Sequence, residues 1–307
     1  MNRLFVLFCG LALLSASLNA ASILYGGLGG HSNGDSTNDG SLVFVNPTTG
    51  AVTVIGHPVG VARISGLAFD LSNSLFAATQ IPGGFPPPPG PIGASMLLSL
   101  NPATGAILGS HTISDGTNGI SIADLAVQPG TGTLFGIRST QDGLNGAGLL
   151  YTINRTTGVA TLVGDTGHFF GSIAFAPNGT LYMGSADLDF MTGNLVNIGL
   201  RRINPANAAN VSFVPTVDFF GALAIRPEDG VIFGGNGDQA QLFTVNPTTG
   251  AESLLGSTGR TFVGDLAFPT IPEPTTFALL GLGFAALLVR RRRLSCRTEA
   301  LSKNLSS

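Results

Sequence analysis

The heptapeptide VNPTTGA occurs twice without change, at residues 45–51 and again at residues 245–251. Asn followed by Pro suits the first two positions of a turn, and Gly supplies the positive φ at its end. Strand-like apolar residues flank both copies, so each copy predicts a hairpin turn between short antiparallel strands. Related strings lie between the two copies: NPATGA at 101–106, NRTTGV at 154–159 and NPANAA at 204–209.

Two further markers repeat in phase with this turn. One is an apolar segment built around Leu-Ala-Phe, with the versions GLAFD (66–70), DLAVQP (124–129), SIAFAP (172–177), ALAIRP (222–227) and DLAFP (265–269). The other is Leu-Phe or an equivalent pair, which begins at residues 24, 75, 134, 181 and 232. Its intervals of 51, 59, 47 and 51 residues, each with room for four short strands, are typical of propeller blades.

The order of the markers predicts how a ring would close. We letter the strands of a blade A (Leu-Ala-Phe), B (Leu-Phe), C (before the NPTTG-type turn) and D (after it). The body then begins on a B strand at Leu24 and ends on an A strand at Phe268. Pairing these two strands would remove exposed sheet edges. We therefore predict an all-β, five-bladed β-propeller over residues 22–270, closed by its N-terminal and C-terminal strands. A six-bladed ring with one unrecognised blade and an unrelated β-sandwich are the alternatives.

Composition limits the classes of partner that the predicted propeller can bind. The 307 residues include 44 Gly and 18 Pro, and only 10% are charged, which favours many turns over long helices. Residues 22–271 contain seven Arg, no Lys and fifteen Asp or Glu, a net charge near −8. A basic footprint for phosphate is missing, so we expect no nucleic-acid partner. The two cysteines, Cys9 and Cys296, lie outside the body and cannot form a disulfide within it.

Residues 1–21 have the pattern of a secretory signal peptide. Arg3 supplies a positive charge, Leu4 to Leu13 is a short apolar stretch, and small residues follow as far as Ala21. We therefore expect the chain to be exported. A buried N-terminal helix is the alternative.

The C-terminal region combines a Pro-Glu-Pro, an apolar run and four arginines. The run from Thr275 to Val289 has 15 residues, about 22 Å as a helix, which is shorter than a hydrocarbon core of ~30 Å. Snorkelling arginines make up part of the difference. The pattern predicts a single transmembrane helix at 275–289, with residues 294–307 as a short cytoplasmic tail and the body on the other side. A core helix is the alternative, but four adjacent arginines cannot all be buried.

Together these three parts resemble the PEP-CTERM sorting signal of Gram-negative bacteria, here over residues 271–293. The resemblance rests on the apolar run and on Pro272, Glu273, Pro274, Arg290, Arg291, Arg292 and Arg293. It implies recognition by an exosortase, a membrane cysteine protease-transpeptidase, with processing near the Pro-Glu-Pro. It also implies an inner-membrane anchor with the body in the periplasm before processing, then delivery to the cell surface or extracellular matrix. Unlike most such chains, this one continues past the arginines, as LSCRTEALSKNLSS.

Loop lengths distinguish the two faces of the predicted ring. The A–B and C–D turns are short, whereas B–C connections are long and unlike one another, as at 26–40, 78–93 and 183–199. B–C and D–A connections share one face of a propeller, and we expect that face to bind ligands. Neutral drift in loop length is the alternative, although drift would have spread to both faces.

Six polar residues are candidates for a ligand site at the channel mouth on that face. Two carboxylates begin innermost strands, and the other four residues lie in D–A connections: Asp124, Asp265, His168, Asp218, Arg63 and Arg260. Such a set suits a sugar or a divalent cation. The alternative is that each residue caps a turn or is a solvent-exposed polar residue at the rim of the channel.

Segments that resemble metal-binding or catalytic motifs lack residues or structure that those motifs require. DSTNDG at 35–40 resembles the start of a calcium loop, but Asn46 stands where a bidentate Glu is needed. GHSNG at 30–34 fits the nucleophile elbow, yet no helical pattern follows it. The four histidines form no local ligand pair. We therefore expect no cofactor and no metal, with calcium as the alternative.

These observations predict an exported cell-surface or extracellular-matrix protein that is not an enzyme. Its role would be binding or structural, towards polysaccharide or another surface protein. The rival is an extracellular glycan-acting hydrolase that uses Asp124 and Asp265 in the channel, because glycoside hydrolysis needs two carboxylates. The body's two glutamates do not serve, since Glu228 lies in an A–B turn and Glu252 in an outer strand. A passive scaffold without a ligand is a third possibility.

Overall fold

The structure, a computed structural model, describes residues 22–29, 38–79, 93–138, 148–236, 239–259 and 263–270. These residues form five antiparallel sheets of four strands each. Blade 1 contains β20 (Val263–Ala267), β1 (Leu24–Leu28), β2 (Leu42–Val45) and β3 (Val52–Gly56). Blade 2 contains β4 (Ile64–Phe69), β5 (Leu75–Thr79), β6 (Met96–Leu100) and β7 (Ile107–Thr112).

The other three blades follow in chain order. Blade 3 contains β8 (Ile122–Val127), β9 (Leu134–Arg138), β10 (Leu149–Ile153) and β11 (Ala160–Asp165). Blade 4 contains β12 (Phe170–Phe175), β13 (Leu181–Leu188), β14 (Leu195–Ile203) and β15 (Asn210–Pro215). Blade 5 contains β16 (Ala222–Ile225), β17 (Ile232–Asn236), β18 (Gln241–Val245) and β19 (Glu252–Ser257).

The ring closes where the repeat markers predict. β20 pairs with β1 in antiparallel register, with Tyr25 opposite Ala267 and Gly26 opposite Leu266. The last A strand and the first B strand thus belong to one blade, and the prediction of an all-β, five-bladed propeller is confirmed. The predicted signal peptide at 1–21 and the predicted membrane helix at 275–289 lie outside the described residues. Within the part of the chain that the structure describes, no helix is long and apolar enough to cross a membrane.

Apolar clusters between neighbouring blades form the core. The A strands contact one another around the ring in the order β4, β8, β12, β16, β20 and back to β4. Between blades 3 and 4, the ring of Phe135 packs on that of Phe175 with centroids 5.3 Å apart. Ile137 and Met183 are fully buried in the same cluster. Each blade has one apolar face towards each neighbour, which is why the repeat is stable only in a ring.

The NPTTG-type strings fold as the predicted turns. The side chain of Asn46 accepts a hydrogen bond from the backbone N–H of Thr48 at 2.9 Å, and Gly50 has a φ of 75°. The equivalent asparagines make the same contact two residues on: Asn101, Asn154, Asn204 and Asn246. Asx turns of this kind hold the C–D connection in one conformation.

Each of these turns also packs on the D strand of the preceding blade. A Cβ placed on Gly250 would lie 2.0 Å from the carbonyl oxygen of Pro215, and one on Gly56 would lie 2.0 Å from that of Thr104. The other three neighbouring pairs make equivalent close approaches, at Thr112 with Gly158, Gly164 with Asn207 and Gly256 with Thr49. The repeated motif therefore joins blades as well as strands.

The long B–C connection predicted at 183–199 consists largely of strand. The structure extends β13 to Leu188 and begins β14 at Leu195, so this segment is a long hairpin. Its turn resembles the NPTTG type, because Asp189 accepts a hydrogen bond from the N–H of Met191 and Gly193 has a φ of 73°. Asp replaces the turn asparagine here, which concealed the relationship in the sequence.

Candidate functional site

Asp124 and Asp265 meet in the centre of the ring. Each is the third residue of its innermost strand, Asp124 in β8 and Asp265 in β20. Neither is exposed to solvent, so both carboxyl groups lie inside the channel rather than at its mouth. The two side chains are hydrogen-bonded to each other.

Backbone N–H groups from all five innermost strands donate to this pair. Asp124 accepts from Leu125 at 2.5 Å and from Ile173 at 2.6 Å. Asp265 accepts from Leu266 at 2.6 Å, from Leu67 and from Leu223. The donors belong to β8, β12, β20, β4 and β16. In each blade the donor is the Leu or Ile of the Leu-Ala-Phe marker, so the pair satisfies an amide that every repeat directs at the axis.

Burial gives the pair an unusual protonation state. The pKa of Asp124 is raised well above its usual range by burial, by the negative charge of Asp265 and by the hydrogen bond between them. Burial raises the pKa of Asp265 to about 7, although hydrogen bonds from Asp124 and from the N–H of Leu67 oppose this. Two adjacent carboxyl groups that are both buried cannot both ionise readily, so the pair retains a proton in the hydrogen bond between the two side chains.

Small residues at the equivalent positions of the other three innermost strands leave room for this pair. The residue before each donor Leu or Ile is Gly66, Asp124, Ser172, Ala222 or Asp265. A Cβ on Gly66 would lie 2.8 Å from the N atom of Leu125. Ser172 turns away to donate to the carbonyl oxygen of Phe220 at 2.7 Å. Two acids among five equivalent positions that otherwise hold small residues are thus the sequence signal that side chains fill the central channel.

His168 does not join the acid pair. Its Nδ1 lies 3.1 Å from Oδ1 of Asp187, at the end of β13 in the next blade. Asp187 also accepts from Asn197 Nδ2 at 3.0 Å and from the N–H of Phe169 at 3.3 Å. Burial raises the pKa of Asp187, but the hydrogen bonds from Asn197 and His168 outweigh it and leave the pKa below its usual range.

Asp218 makes an equivalent contact one blade further on. Its Oδ1 accepts a hydrogen bond from Asn236 Nδ2 at 2.7 Å, at the end of β17. Its backbone N–H donates to Oε1 of Glu252 at 3.0 Å. In both places a D–A side chain is tied to the B strand of the following blade. Asp187 and Asn236, which hold these connections in place, were not singled out from the sequence, because one-residue polar signals at strand ends are common.

Of the two candidate arginines and the calcium-like segment, the structure describes only Arg63 and residues 38–40. Arg63 is half-buried, and burial lowers its pKa although the charge of Asp39 opposes this. Arg260 and residues 35–37 lie outside the described residues. In the described parts of the chain, no group of three or more His, Cys, Asp or Glu is placed to hold a metal ion. Binding of a ligand by the six candidate residues stays a prediction.

A family model of the PEP-CTERM protein-sorting motif matches residues 270–293. The chain therefore carries this sorting motif, and the resemblance found in the sequence is confirmed. The motif implies an exported protein that exosortase recognises, with a membrane-anchored C-terminus before processing. Comparison with curated proteins found no match.

Several solved structures are similar to this chain. One is a chain of the nidogen/laminin complex, at 14% identity and a TM-score of 0.47, covering 77% of this chain and 78% of that chain. Another is a protein of unknown function from Bacteroides caccae, at 13% identity and a TM-score of 0.46, covering 81% of this chain and 99% of that chain. A third is the glutaminyl cyclase of Myxococcus xanthus, at 15% identity and a TM-score of 0.42, covering 67% of this chain and 70% of that chain. Identities this low indicate nothing about activity.

Proposed function

We propose that this protein is an exported β-propeller of the cell surface or extracellular matrix, with a non-catalytic binding or structural role. Its ligand is a polysaccharide or another surface protein, met by the face that carries the B–C connections. One observation carries the proposal: the sorting motif begins at residue 270, directly after β20 closes the ring at Ala267. The segment that is addressed to the surface is therefore the complete propeller.

The state of the acid pair supports a non-catalytic role. All four carboxyl oxygens of Asp124 and Asp265 contact backbone N–H groups, and neither residue is exposed. A general acid or base must come within hydrogen-bond reach of its substrate. These two groups instead bind the strands that surround them.

The B–C face offers apolar side chains beside neutral polar ones. Phe190 is 56% exposed and Met191 is 94% exposed at the tip of the β13–β14 hairpin. The ring of Phe190 packs edge-on against Phe169, with centroids 5.3 Å apart. The exposed side chain of Asn197 stands at the base of the same hairpin. Aromatic faces and amide groups together suit sugars, whose hydroxyls need polar partners and whose C–H groups need apolar ones.

Co-sedimentation tests this proposal. Purified 22–270, which contains every strand of the ring, is mixed with the matrix polysaccharide of the host, with and without calcium. The Phe190→Ala/Met191→Ala variant should pellet several-fold less than the wild type. Leu71→Ala is the matched control, because Leu71 is 50% exposed in an A–B turn on the opposite face. Absence of binding in both buffers would remove polysaccharide as the ligand and leave a protein partner or a scaffold role.

A hydrolase is the second candidate, favoured by the raised pKa of Asp265 and by its shared proton. Glycosidases do use paired carboxyls, but at separations of roughly 5–10 Å, whereas these two are hydrogen-bonded. Release of soluble sugar from a candidate glycan, abolished by Asp124→Asn, would establish the hydrolase and overturn the non-catalytic role.

A further inference from the structure

The chain leaves the ring on the face of the short turns. The hydroxyl of Thr270 lies 3.1 Å from the carbonyl oxygen of Asp70 and 2.8 Å from Oδ1 of Asn73. Both residues belong to the A–B turn of blade 2, between β4 and β5. Because β1 is a B strand, the chain also enters the ring on this face, at Ile23. We call the side of the molecule formed by the A–B and C–D turns the short-turn face.

The distance from this exit to the predicted membrane segment is short. The apolar run begins at Thr275, five residues after Thr270. Five residues reach at most about 17 Å even when fully extended. The ring therefore cannot stand far from the membrane while the chain is anchored, and the face at the exit is the one nearest to the lipid.

We propose that the short-turn face lies against the lipid headgroups of the anchoring membrane, with the B–C connections directed away from it. This inference rests on the proposed function, because it requires the C-terminal anchor. It assigns a partner to the one face of the ring that the ligand-binding proposal does not use. Binding and anchoring then occur on opposite faces and do not compete.

The charges of this face suit such a contact. Arg155 in a C–D turn binds Asp70 in an A–B turn, with Nη1 and Oδ2 2.6 Å apart. Arg226 binds Asp229 at 2.7 Å. The other four NPTTG-type turns carry no charged residue, and Leu71 is 50% exposed in an A–B turn. Glu228 in the same turn as Asp229 is exposed, so the short turns carry two arginines and three carboxylates. With its charges mostly balanced, this face repels anionic lipid less strongly than a wholly acidic face would.

Fluorescence transfer to labelled lipid tests the orientation. The full chain carries Cys9→Ser and Cys296→Ser, so one engineered cysteine at a time takes the donor dye. Leu71→Cys and Glu228→Cys report the short-turn face. Met191→Cys and Val59→Cys report the opposite face, where these side chains are 94% and 89% exposed. The proteins are reconstituted into phosphatidylcholine vesicles that contain a headgroup-labelled acceptor lipid.

Transfer efficiency should be at least twofold higher from the two short-turn positions than from the other two. Lengthening the chain by twelve Gly and Ser residues between Ile271 and Pro272 should reduce this difference. Equal or reversed efficiencies in protein that floats with the vesicles would overturn the orientation alone. Failure of the chain to float with the vesicles would overturn the anchor, and with it both proposals.

Discussion

Asp124 and Asp265 are hydrogen-bonded to each other at the axis of the ring, where neither side chain reaches solvent. Asp265 belongs to the strand that closes the propeller, and its Oδ2 accepts from Leu67 in blade 2. Asp124 reaches from blade 3 to Ile173 in blade 4. The pair therefore links the strand that closes the ring to the innermost strands of other blades. Buried amides without acceptors would be costly, so the acids give the axis a polar core that apolar side chains could not supply.

Replacing Asp124 by Asn should destabilise the protein by about 1–3 kcal/mol, because the new amide cannot accept from both Leu125 and Ile173 and leaves one N–H unsatisfied. Urea unfolding of 22–270 measures this. The control is Asp115→Asn, since Asp115 is an exposed turn residue whose hydrogen bonds from Thr117 and Asn118 an Asn retains. Equal stability of the two variants would contradict a structural role for the pair.

The same pair should make stability fall as pH rises from about 4 to about 7. The folded-state pKa values of both acids lie above the unfolded value of about 3.9, so the folded protein holds more protons in this window. The contribution is fully present below about pH 4 and is lost as pH passes the folded pKa of Asp265, about 7. The Asp124→Asn/Asp265→Asn variant should lack this slope in unfolding curves recorded across that range. An unchanged slope would show that other groups cause it.

Repetition explains why the fold could be predicted from the sequence. The turn of Asn46 and the closing strand that ends at Ala267 follow from local patterns that recur five times. The role of the acid pair could not be predicted in the same way. Burial of Asp124 and Asp265 depends on five strands converging, and either residue alone looks like an ordinary strand-end acid. The pairing of His168 with Asp187 also depends on contacts between blades, which no local pattern records.

Gly250 should tolerate no side chain. Its φ of 73° is unfavourable for other residues, and a Cβ would meet the carbonyl oxygen of Pro215. Gly179 has a φ of 82° but nothing within 4 Å of the equivalent Cβ. Gly179→Ala should therefore cost about 1–2 kcal/mol for the backbone strain alone, and Gly250→Ala should cost clearly more. Thermal unfolding of both variants compares them. Equal losses would mean that the turn does not pack on the preceding blade as described.

Asp187 should contribute stability at neutral pH that is lost in acid. Its folded-state pKa lies below the unfolded value of about 3.9, so the contribution is present above that value and disappears as pH falls through the folded pKa. Asp187→Asn should be less stable than the wild type at pH 7, and the difference should narrow below about pH 4. Urea unfolding at several pH values measures it. Asp165→Asn is the control, because it removes a carboxylate from the end of β11 but keeps an acceptor for the N–H of Gly167. A difference that persists at low pH would point to lost packing instead of lost charge.

The outer strand of blade 2 should promote self-association. β7 is a terminal strand of its sheet, all six of its residues are exposed, and it contains neither a charged residue nor a proline. Leu108 is 68% exposed on it. An uncharged edge of this kind presents unpaired backbone groups that can pair with a strand of another molecule, and lysine on such an edge prevents this. Leu108→Lys should therefore weaken association of 22–270 in sedimentation velocity over a concentration series. Val59→Lys adds the same charge to a D–A connection and should leave association unchanged. If the two variants behave alike, net charge and not the edge controls association.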